Sequence, residues 1–306
     1  MLDFQKVTYE NAHELTDYFK QLPWRITDCT VGTTAMWAEY YQTEYAVVEG
    51  FLVLKYTETD GELCFSVPMG EGDPSAALDA VAQCARDLGL PLVFGTVPEE
   101  MLPVIIDHFG CEVRVAHDPA WDDYLYDKTD IITLKGRRYN TQRNHINKFL
   151  KTYGGYEFEP ITAENLPEVR EFFHNFMTHE DTISEDMTEE RVLTMEVLDH
   201  YEKLGMTGGV VRVQGKVVAL SIGEVVGDTL FVHIEKCRRD YGGGYPVINQ
   251  EFARHNDSET LRYVNREEDV GLPGLRQAKR QYGPIKMVRK YMVTVPCASL
   301  APKAEG

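Results

Sequence analysis

The sequence predicts a mixed α+β protein that contains the same kind of unit twice in tandem. The first observation is the order of elements in the second half, where one strand and two helices precede three consecutive strands, after which helices and strands alternate. The second is a less regular version of this order in the first half. The third is a glycine run at 242–244, which follows the three strands and opens a helix. The length of 306 residues also suits about two domains.

In the first half, apolar runs predict strands, and apolar residues at helical spacing predict helices. Asp73 and Pro74 form a helix start, and Gly89 and Gly110 follow helix ends. The predicted strands are 44–56, 62–67, 92–95 and 112–116, and the predicted helices are 73–89 and 101–109.

The second half repeats the order more clearly. Turns at Gln214-Gly215 and Gly227-Asp228 separate three strands, which predicts a meander with helices on both faces of the sheet. The predicted strands are 156–160, 210–213, 217–225, 230–237, 261–264 and 286–295, and the predicted helices are 162–176, 188–205, 245–255 and 275–282, with a basic helix at 139–153 between the halves. We therefore expect a first domain at 1–130, a basic connector at 131–155, a second domain at 156–296 and a flexible tail at 297–306.

Charge is unevenly distributed along the chain. The net charge is −18, but residues 131–156 contain six basic and no acidic residues, and residues 270–306 contain seven basic residues and one acidic residue. Two positive segments in a negative chain can form a focused anion site, because the surrounding field repels polyanions elsewhere. The alternative is that both segments are exposed helix faces that balance nearby acids.

Other features of the composition favour a cytoplasmic protein. No run of about 18 apolar residues predicts a membrane span, and the N-terminus lacks the pattern of a secretory signal. The six cysteines are scattered without CxxC pairs, so we expect thiols in a reducing compartment and no metal site.

The segment Tyr263–Tyr291 has the densest set of polar residues. Its apolar start ends at Asn265, and acids at 267–269, glycines at 271 and 274 and a basic helix follow before Gly283-Pro284. A strand, a polar turn and a basic helix bring backbone and side chains together, as a binding or catalytic site requires. The alternative is a solvated loop and helix face.

The turn after the meander carries a first resemblance. Arg239-Asp240-Tyr241-Gly242-Gly243-Gly244 fits the R/Q-x-x-G-x-G/A loop of the GNAT (Gcn5-related N-acyltransferase) family, and the order of elements is similar to that fold. In that family the loop binds the pyrophosphate of the acyl donor, because backbone N–H groups at a helix N-terminus satisfy an anion. The resemblance implies two tandem GNAT-like domains and assigns Arg239, Gly242, Gly243, Gly244 and Tyr245 to the donor. We also expect Gly243→Val to weaken donor binding without unfolding the protein.

Several blocks between about residues 24 and 293 carry a more specific resemblance. The blocks are 134–136, 143–149, His233 with Glu235-Lys236, 243–245 with 248–249, and 263–269 through Gly271, Gly274, Leu275-Arg276, Ala278-Lys279, Tyr282 and Pro284. They resemble a bacterial family that shares the C-terminal catalytic domain of phosphatidylglycerol lysyltransferases, which implies that the C-terminal unit is the active one. Lysyltransferases also carry a large membrane domain that we do not expect here, so a lipid acceptor and a lysyl-tRNA donor do not follow from the resemblance alone.

The resemblance implies three catalytic residues. Transfer to an amine needs a base for the amine proton and an acid for the leaving group. Glu235 stands where many GNAT enzymes place the base, and Tyr282 where the family often keeps a tyrosine that protonates the leaving group. Asn265, at a strand end, can bind a carbonyl. The alternatives are an ion-pair role for Glu235 and a packed aromatic role for Tyr282.

Further charged residues suit binding. Glu268 and Asp269 can hold an ammonium group of the acceptor or of a lysyl moiety, or cap the following helix. Two basic residues three apart on a helix face suit a phosphate, and those of the connecting segment suit a polyanion such as a tRNA backbone or the CoA 3′-phosphate. These residues are Arg276 and Lys279 on the helix face, and Arg138, Arg143 and Lys148 in the connecting segment.

The predicted function is transfer of an activated acyl or aminoacyl group to an amine or hydroxyl of a small-molecule, lipid or peptide acceptor. The donor is either acyl-CoA or aminoacyl-tRNA, with no covalently bound cofactor. The basic helix 139–153 favours tRNA as a partner, whereas the small size and the net charge of −18 favour CoA. The alternative from another class is a catalytically idle ligand- or RNA-binding module on the same fold.

Overall fold

The computed structural model describes residues 2–110, 112–178 and 185–296, so the tail predicted at 297–306 lies outside the described residues. The chain divides into two compact units, Met1–Asp122 with Val288–Gly306, and Asp123–Met287. Each unit contains a seven-stranded sheet with parallel and antiparallel neighbours. The predicted α+β class with two mixed sheets is confirmed.

The strands are β1 (Gln5–Lys6), β2 (Glu44–Val48), β3 (Phe51–Thr57), β4 (Leu63–Phe65), β5 (Leu92–Pro98), β6 (Arg114–His117), β7 (Asp123–Asp127), β8 (Glu157–Pro160), β9 (Thr207–Val213), β10 (Lys216–Val226), β11 (Thr229–Cys237), β12 (Tyr263–Asn265), β13 (Lys286–Val288) and β14 (Lys290–Val295). The α-helices are α1 (Thr16–Lys20), α2 (Val31–Met36), α3 (Ser75–Leu88), α4 (Leu102–Phe109), α5 (Lys128–Thr133), α6 (Asn140–Tyr153), α7 (Leu166–Thr178), α8 (Glu185–Asp199), α9 (Gly244–His255) and α10 (Pro273–Arg280).

The sheet of the first unit has the order β1-β2-β3-β4-β5-β14-β6. Its neighbours are antiparallel except β4 and β5, which pair in parallel where Phe65 faces Phe94. Helix α3 buries apolar residues at helical spacing, including Leu78 and Val81, and ends at Gly89 with φ of 70°, the left-handed conformation that glycine favours.

The strand predicted at 44–56 is a hairpin, which corrects the sequence interpretation. Glu49 and Gly50 have φ of 51° and 84°, so the chain reverses between β2 and β3 through a two-residue turn. The apolar residues on both sides of this turn form one nearly continuous run, which hides the reversal from periodicity.

The sheet of the second unit has the order β13-β7-β12-β11-β10-β9-β8. It contains the predicted antiparallel meander β9-β10-β11, followed by the parallel neighbour β12. Helices α6 and α9 contribute buried side chains, among them Phe149, Ile248 and Phe252, to one apolar core that includes strand residues such as Tyr126 and Val264.

Each sheet includes a strand from outside its own stretch of sequence. Strand β14, near the C-terminal end of the described chain, lies between β5 and β6 of the first sheet, and β7 lies between β12 and β13 of the second. The predicted strand 286–295 is therefore two strands that belong to different sheets. The sequence-based domain limits of 1–130 and 156–296 differ from the observed units at these two strands.

Within the described ranges, no helix combines the length and the apolar character needed to cross a lipid bilayer.

Candidate active site

The candidate site lies where β11 and β12 of the second unit separate. The two strands pair in parallel only from Thr229 with Tyr263 to Phe231 with Asn265. Strand β11 then continues to Cys237, whereas β12 ends at Asn265. Beyond this point, side-chain contacts connect β11 to the chain that follows β12.

Glu235, the expected base, is held by two neighbours. Its Oε1 accepts a hydrogen bond from Nη2 of Arg266 at 2.9 Å, and its Oε2 accepts one from Nδ2 of Asn249 on α9 at 3.0 Å. The side chains of Glu235 and Arg266 are 11% and 13% exposed. The ion pair that was the alternative for Glu235 is thus present, with Arg266 as the partner.

Tyr282 lies beside the same arginine. The guanidinium of Arg266 is 4.8 Å from the centre of the Tyr282 ring, and Tyr126 packs against that ring edge-on at 6.5 Å. Burial raises the pKa of the Tyr282 phenol above its usual value, so the hydroxyl keeps its proton at neutral pH. Among the residues that the structure describes, none hydrogen-bonds to this hydroxyl. The structure therefore brings Glu235 and Tyr282 together around Arg266.

Asn265 is fully buried at the end of β12. Its Nδ2 donates to Oδ2 of Asp123 at 3.0 Å, and its Oδ1 accepts from the backbone N–H of Glu267 at 2.7 Å. These contacts fix the turn after β12, which carries Arg266 into the site. The buried Asn265 side chain therefore positions Arg266 through the conformation of this turn.

Asp269 is 1% exposed and lies at the centre of a hydrogen-bond network. It accepts hydrogen bonds from Nε and Nη2 of Arg276 at 2.9 and 2.8 Å, from the hydroxyl of Tyr124 at 2.6 Å and from the backbone N–H of Gly271 at 3.0 Å. The bonds from Arg276, then those from Tyr124 and Gly271, outweigh burial and lower the pKa of Asp269 to about 2. Asp269 is therefore a fixed anion that holds the start of α10.

The predicted phosphate pair on α10 is part of the same arrangement. Arg276 is bound to Asp269, and the ammonium of the buried Lys279 donates to the backbone carbonyl of Glu268. Burial lowers the pKa of the Lys279 ammonium. Glu268 itself is half-buried. In this arrangement, Arg276 and Lys279 bind the protein's own acidic turn.

The glycine turn precedes α9, as the sequence predicts. Gly243 has φ of 95° and is the N-cap of α9, without a side-chain hydrogen bond to the helix. A Cβ at Gly243 would be 2.6 Å from the carbonyl oxygen of His145 on α6, and one at Gly244 would be 2.3 Å from Sγ of Cys237. Gly242 has open space around it. Arg239 and Tyr245 are exposed beside the turn.

The expectation that Gly243→Val leaves the fold intact is wrong. A side chain at this position needs an unfavourable left-handed backbone and collides with a backbone carbonyl of α6, which cannot move as a flexible side chain can. Gly242 is the position at which binding can be tested without this strain.

The predicted polyanion residues lie in different surroundings. Arg138 forms an ion pair with Asp130, and its Nη2 donates to the hydroxyl of Tyr139 at 2.7 Å. Arg143 donates to the backbone carbonyls of Leu134 and Gly136, the latter at 2.8 Å. Lys148 is exposed on α6. Two of the three predicted residues therefore stabilise the segment before α6, and Lys148 remains available on the surface.

His233, which belongs to the blocks that carry the family resemblance, is a further residue of the site. Its Nδ1 is 2.9 Å from Oε1 of Glu267, and its Nε2 is 3.0 Å from Oε1 of Glu224. Burial opposes protonation, but the hydrogen bonds to Glu224 and Glu267 outweigh it and raise the pKa of His233 to about 10. The sequence signal that could have identified His233 is its position two residues before Glu235 in a buried strand.

Within residues 2–110, 112–178 and 185–296, no group of three His, Cys, Asp or Glu side chains could hold a metal ion.

Similar folds occur in solved structures. A conserved protein of unknown function from Bacteroides thetaiotaomicron VPI-5482 is 31% identical, with a TM-score of 0.89 over 96% of this chain and 100% of that chain. The C-terminal domain of a putative lysylphosphatidylglycerol synthetase from Agrobacterium fabrum is 15% identical, with a TM-score of 0.66 over 95% and 94% of the two chains. A tandem GNAT protein from the clavulanic acid biosynthesis pathway is 11% identical, with a TM-score of 0.50 over 99% and 100%. The likenesses at 15% and 11% identity show the fold alone and support its GNAT-like character.

Two sequence comparisons complete these findings. An uncharacterized protein from Mycoplasmoides gallisepticum is 25% identical over 191 residues, a match that spans 61% of this chain and only 60% of that protein's length. The family model described as "Phosphatidylglycerol lysyltransferase, C-terminal" matches residues 19–294. Because that match covers most of the chain, the protein belongs to the phosphatidylglycerol lysyltransferase C-terminal family.

Proposed function

We propose that this protein is an aminoacyl transferase that moves an aminoacyl group from aminoacyl-tRNA to an amine or hydroxyl acceptor. The observation that carries the proposal is the cluster in which Arg266 binds Glu235 and lies over the ring of Tyr282. Membership of a family named for lysyl transfer supports an aminoacyl group as the cargo.

In this proposal Tyr282 relays the proton. Attack of an amine or hydroxyl on the ester carbonyl requires loss of a proton by the nucleophile and gain of a proton by the leaving ribose oxygen. A neutral phenol can donate its own proton to the leaving oxygen while its oxygen accepts the proton of the nucleophile. Burial favours this neutral form by raising the pKa of Tyr282.

Arg266 supplies positive charge to the reaction. Its Nη1 is buried and has no hydrogen-bond partner among the described residues, so this donor is available for the oxygen that becomes negative during attack. We assign Glu235 to hold Arg266 in place rather than to remove a proton, because both carboxylate oxygens already accept hydrogen bonds.

The surface around the glycine turn supports tRNA as the donor. Lys148 and Lys151 are exposed on α6, and the backbone of α6 at His145 lies directly against Gly243. The exposed cations thus lie on the same helix that supports the start of α9, an arrangement that suits a polyanion.

Acyl-CoA is the second candidate donor, because the turn before α9 also suits a pyrophosphate. The ion pairs between Glu235 and Arg266 and between His233 and Glu267 cross the gap beyond the paired part of β11 and β12. An extended thioester arm in that gap would have to displace both pairs, which favours tRNA.

The transferase proposal can be tested with tRNA carrying a radiolabelled lysine. The purified protein is incubated with this donor and with either phosphatidylglycerol vesicles or a soluble amine, and transfer of the label is measured. Tyr282→Phe should lower kcat by about 10²-fold, with little change in donor binding. Tyr40→Phe, at a residue 43% exposed in the first unit, is the control and should retain the activity. Absence of transfer from lysyl-tRNA and from tRNA carrying the other amino acids would refute the proposal.

The donor is tested separately by binding. The double charge reversal Lys148→Glu/Lys151→Glu should weaken tRNA binding by about tenfold or more and make it less sensitive to salt, because phosphate contacts are lost. Lys6→Glu/Lys20→Glu, at two exposed residues of the first unit, makes the same change in net charge and is the control. Equal tRNA affinity of both variants, together with saturable binding of acyl-CoA, would favour CoA instead.

A further inference from the structure

The backbone of Tyr282 is held in place by side chains from the start of α6. The peptide groups on both sides of its Cα each accept a hydrogen bond. Nε2 of Gln142 donates to the carbonyl of Gln281 at 3.0 Å, and the hydroxyl of Tyr139 donates to the carbonyl of Tyr282 at 3.0 Å. The backbone N–H of Tyr282 donates to the carbonyl of Lys279 at 3.2 Å. Together these bonds fix the direction in which the Tyr282 side chain leaves the backbone.

The chain after Tyr282 needs such support. Gly283 follows with φ of 60°, and a glycine allows the preceding peptide group many orientations. The two side-chain donors are three positions apart in the sequence, and Tyr139 and Gln142 are 1% and 3% exposed. A hydrogen bond in such buried surroundings is stronger than one in water. One turn of the chain therefore restrains both peptide groups that flank Tyr282.

Arg138 connects this arrangement to the surface. Its side chain is 52% exposed and is oriented by the ion pair with Asp130. Its Nη2 donates to the hydroxyl of Tyr139 at 2.7 Å, and its guanidinium carbon is 4.8 Å from the centre of that ring. A Cβ at Gly283 would be 3.1 Å from the same guanidinium. Arg138 thus contacts both Tyr139 and the residue that follows Tyr282.

We propose that Tyr139 and Gln142 are positioning residues for Tyr282, and that Arg138 acts on Tyr282 through Tyr139. A hydroxyl that accepts a bond from a cation donates more strongly to the carbonyl, because linked hydrogen bonds polarise one another. Position matters for catalysis, since a displacement of about 1 Å can lower a rate by about 10²-fold. The effect on turnover rests on the proposed transferase function, whereas the effect on the conformation of Tyr282 does not.

The conformation of Tyr282 is measured without any substrate, by fluorine NMR of the full chain labelled with 3-fluorotyrosine. The resonance of Tyr282 is identified by its loss in Tyr282→Phe. We expect Tyr139→Phe, Gln142→Met and Arg138→Gln to shift or broaden it. Arg137→Gln, at an exposed neighbour of equal charge, is the control and should leave it unchanged. Arg138→Gln alters a side chain at the surface, so the test remains available if a buried variant does not fold.

Kinetics separate positioning from a contact with phosphate. In the transfer assay with labelled tRNA, Tyr139→Phe and Arg138→Gln should lower kcat by about tenfold. The KM for tRNA and the salt dependence of tRNA binding should stay unchanged, because no phosphate contact is lost. A raised KM with unchanged kcat for Arg138→Gln would overturn its positioning role in favour of a polyanion contact.

The two measurements also separate this proposal from the proposed function. An unchanged Tyr282 resonance in both Tyr139→Phe and Gln142→Met would overturn the positioning role, even if the wild type transfers the label. If the wild type transfers no label, the transferase function is refuted, and the resonance still decides whether these residues hold Tyr282. A shifted resonance with unchanged kcat would overturn the link between the position of Tyr282 and turnover.

Discussion

Arg266 is the residue on which the geometry of the candidate site depends. It follows the buried Asn265, pairs with Glu235 and lies over the rings of Tyr282 and Tyr126 at 4.8 and 6.0 Å. A guanidinium can satisfy these demands together because it is planar and has several donors in fixed directions. Loss of either partner of the ion pair leaves a largely buried charge without compensation.

A double-mutant cycle measures this dependence. Glu235→Gln and Arg266→Met should each lower the free energy of unfolding by about 1–4 kcal/mol. The double variant should be more stable than the sum of the two losses predicts, by about 1–3 kcal/mol, because no unpaired charge remains. Urea unfolding of the four proteins gives the coupling energy. Additive losses would show that the two side chains do not interact.

His233 should make the folded protein less stable as the pH rises into the alkaline range. Its pKa is about 10 in the folded protein and close to 6.5 in an unfolded chain. The folded state therefore holds one more proton between these values, and the stabilisation is complete below about pH 6.5 and lost as the pH rises to about 10. Over this range His233 should lower the free energy of unfolding by about 1.4 kcal/mol per pH unit.

The contribution of His233 is obtained by comparison with His233→Gln. Urea unfolding at several values between about pH 7 and pH 9 should show a steeper decline with pH for the wild type than for the variant. The comparison removes the effect of other groups that titrate in both proteins. Parallel pH profiles would contradict a protonated His233 that donates to both Glu224 and Glu267.

At the scale of elements, the glycine turn before α9 is determined by packing against α6. Gly243→Ala should lower the free energy of unfolding by about 1–3 kcal/mol, since it strains the backbone and meets the carbonyl of His145. Gly242→Ala should change it by less than about 0.5 kcal/mol, because nothing lies within 4 Å of the added carbon. Thermal unfolding measures both, and equal losses would rule out the packing explanation.

Elements with clear turn signals were predictable from the sequence. The meander β9-β10-β11 has a Gly-containing turn after each of its first two strands, and α3 ends at Gly89. The hairpin between β2 and β3 was not predictable in the same way, because its turn at Glu49-Gly50 is surrounded by apolar residues. Periodicity reports which residues are buried, and it reports a reversal only where the turn interrupts the pattern.

The sequence predicted which residues belong to the candidate site, but not which of them bind each other. Resemblance to a family identified Glu235, Tyr282 and the polar turn at 265–269. The sequence does not show that Arg266 holds Glu235 or that Arg276 is bound to Asp269, because residues far apart or in different elements meet only in the fold. A run of charges gives the same pattern whether its members bind a ligand or each other.

At the scale of the whole molecule, the first unit depends on a strand from the other end of the described chain. Val293 of β14 is fully buried between β5 and β6. Val293→Ala should therefore lower the stability of the first unit by about 2 kcal/mol, whereas Val47→Ala, at a residue 54% exposed, should have little effect.

Tryptophan fluorescence isolates this effect. Trp24, Trp37 and Trp121 are the three tryptophans of the chain, and all lie in the first unit. The urea midpoint followed by fluorescence should fall for Val293→Ala although the substitution is more than 150 residues from every tryptophan in the sequence. An unchanged fluorescence midpoint would contradict the placement of β14.

The placement of β14 was not predictable because a strand pattern does not specify its sheet. Residues 286–295 are rich in apolar and β-branched residues and contain neither glycine nor proline, so they resemble one strand. A local pattern of this kind carries no information about which strands it pairs with. The exchange with β7 becomes visible only from the order of the strands in both sheets.

The position of β14 in the first sheet also determines when, during synthesis on the ribosome, that sheet can be completed. Most of the first unit emerges early, but the gap between β5 and β6 cannot close before residues 290–295 have been made. At about 5–20 residues per second, this wait lasts roughly 10 to 30 s after Asp122 is synthesised. During that time the apolar β5 has an open edge that can pair with other chains. Nascent chains that stall in this interval should therefore be bound by chaperones or cleaved by proteases. Chains that have been synthesised past residue 295 and released from the ribosome should resist both.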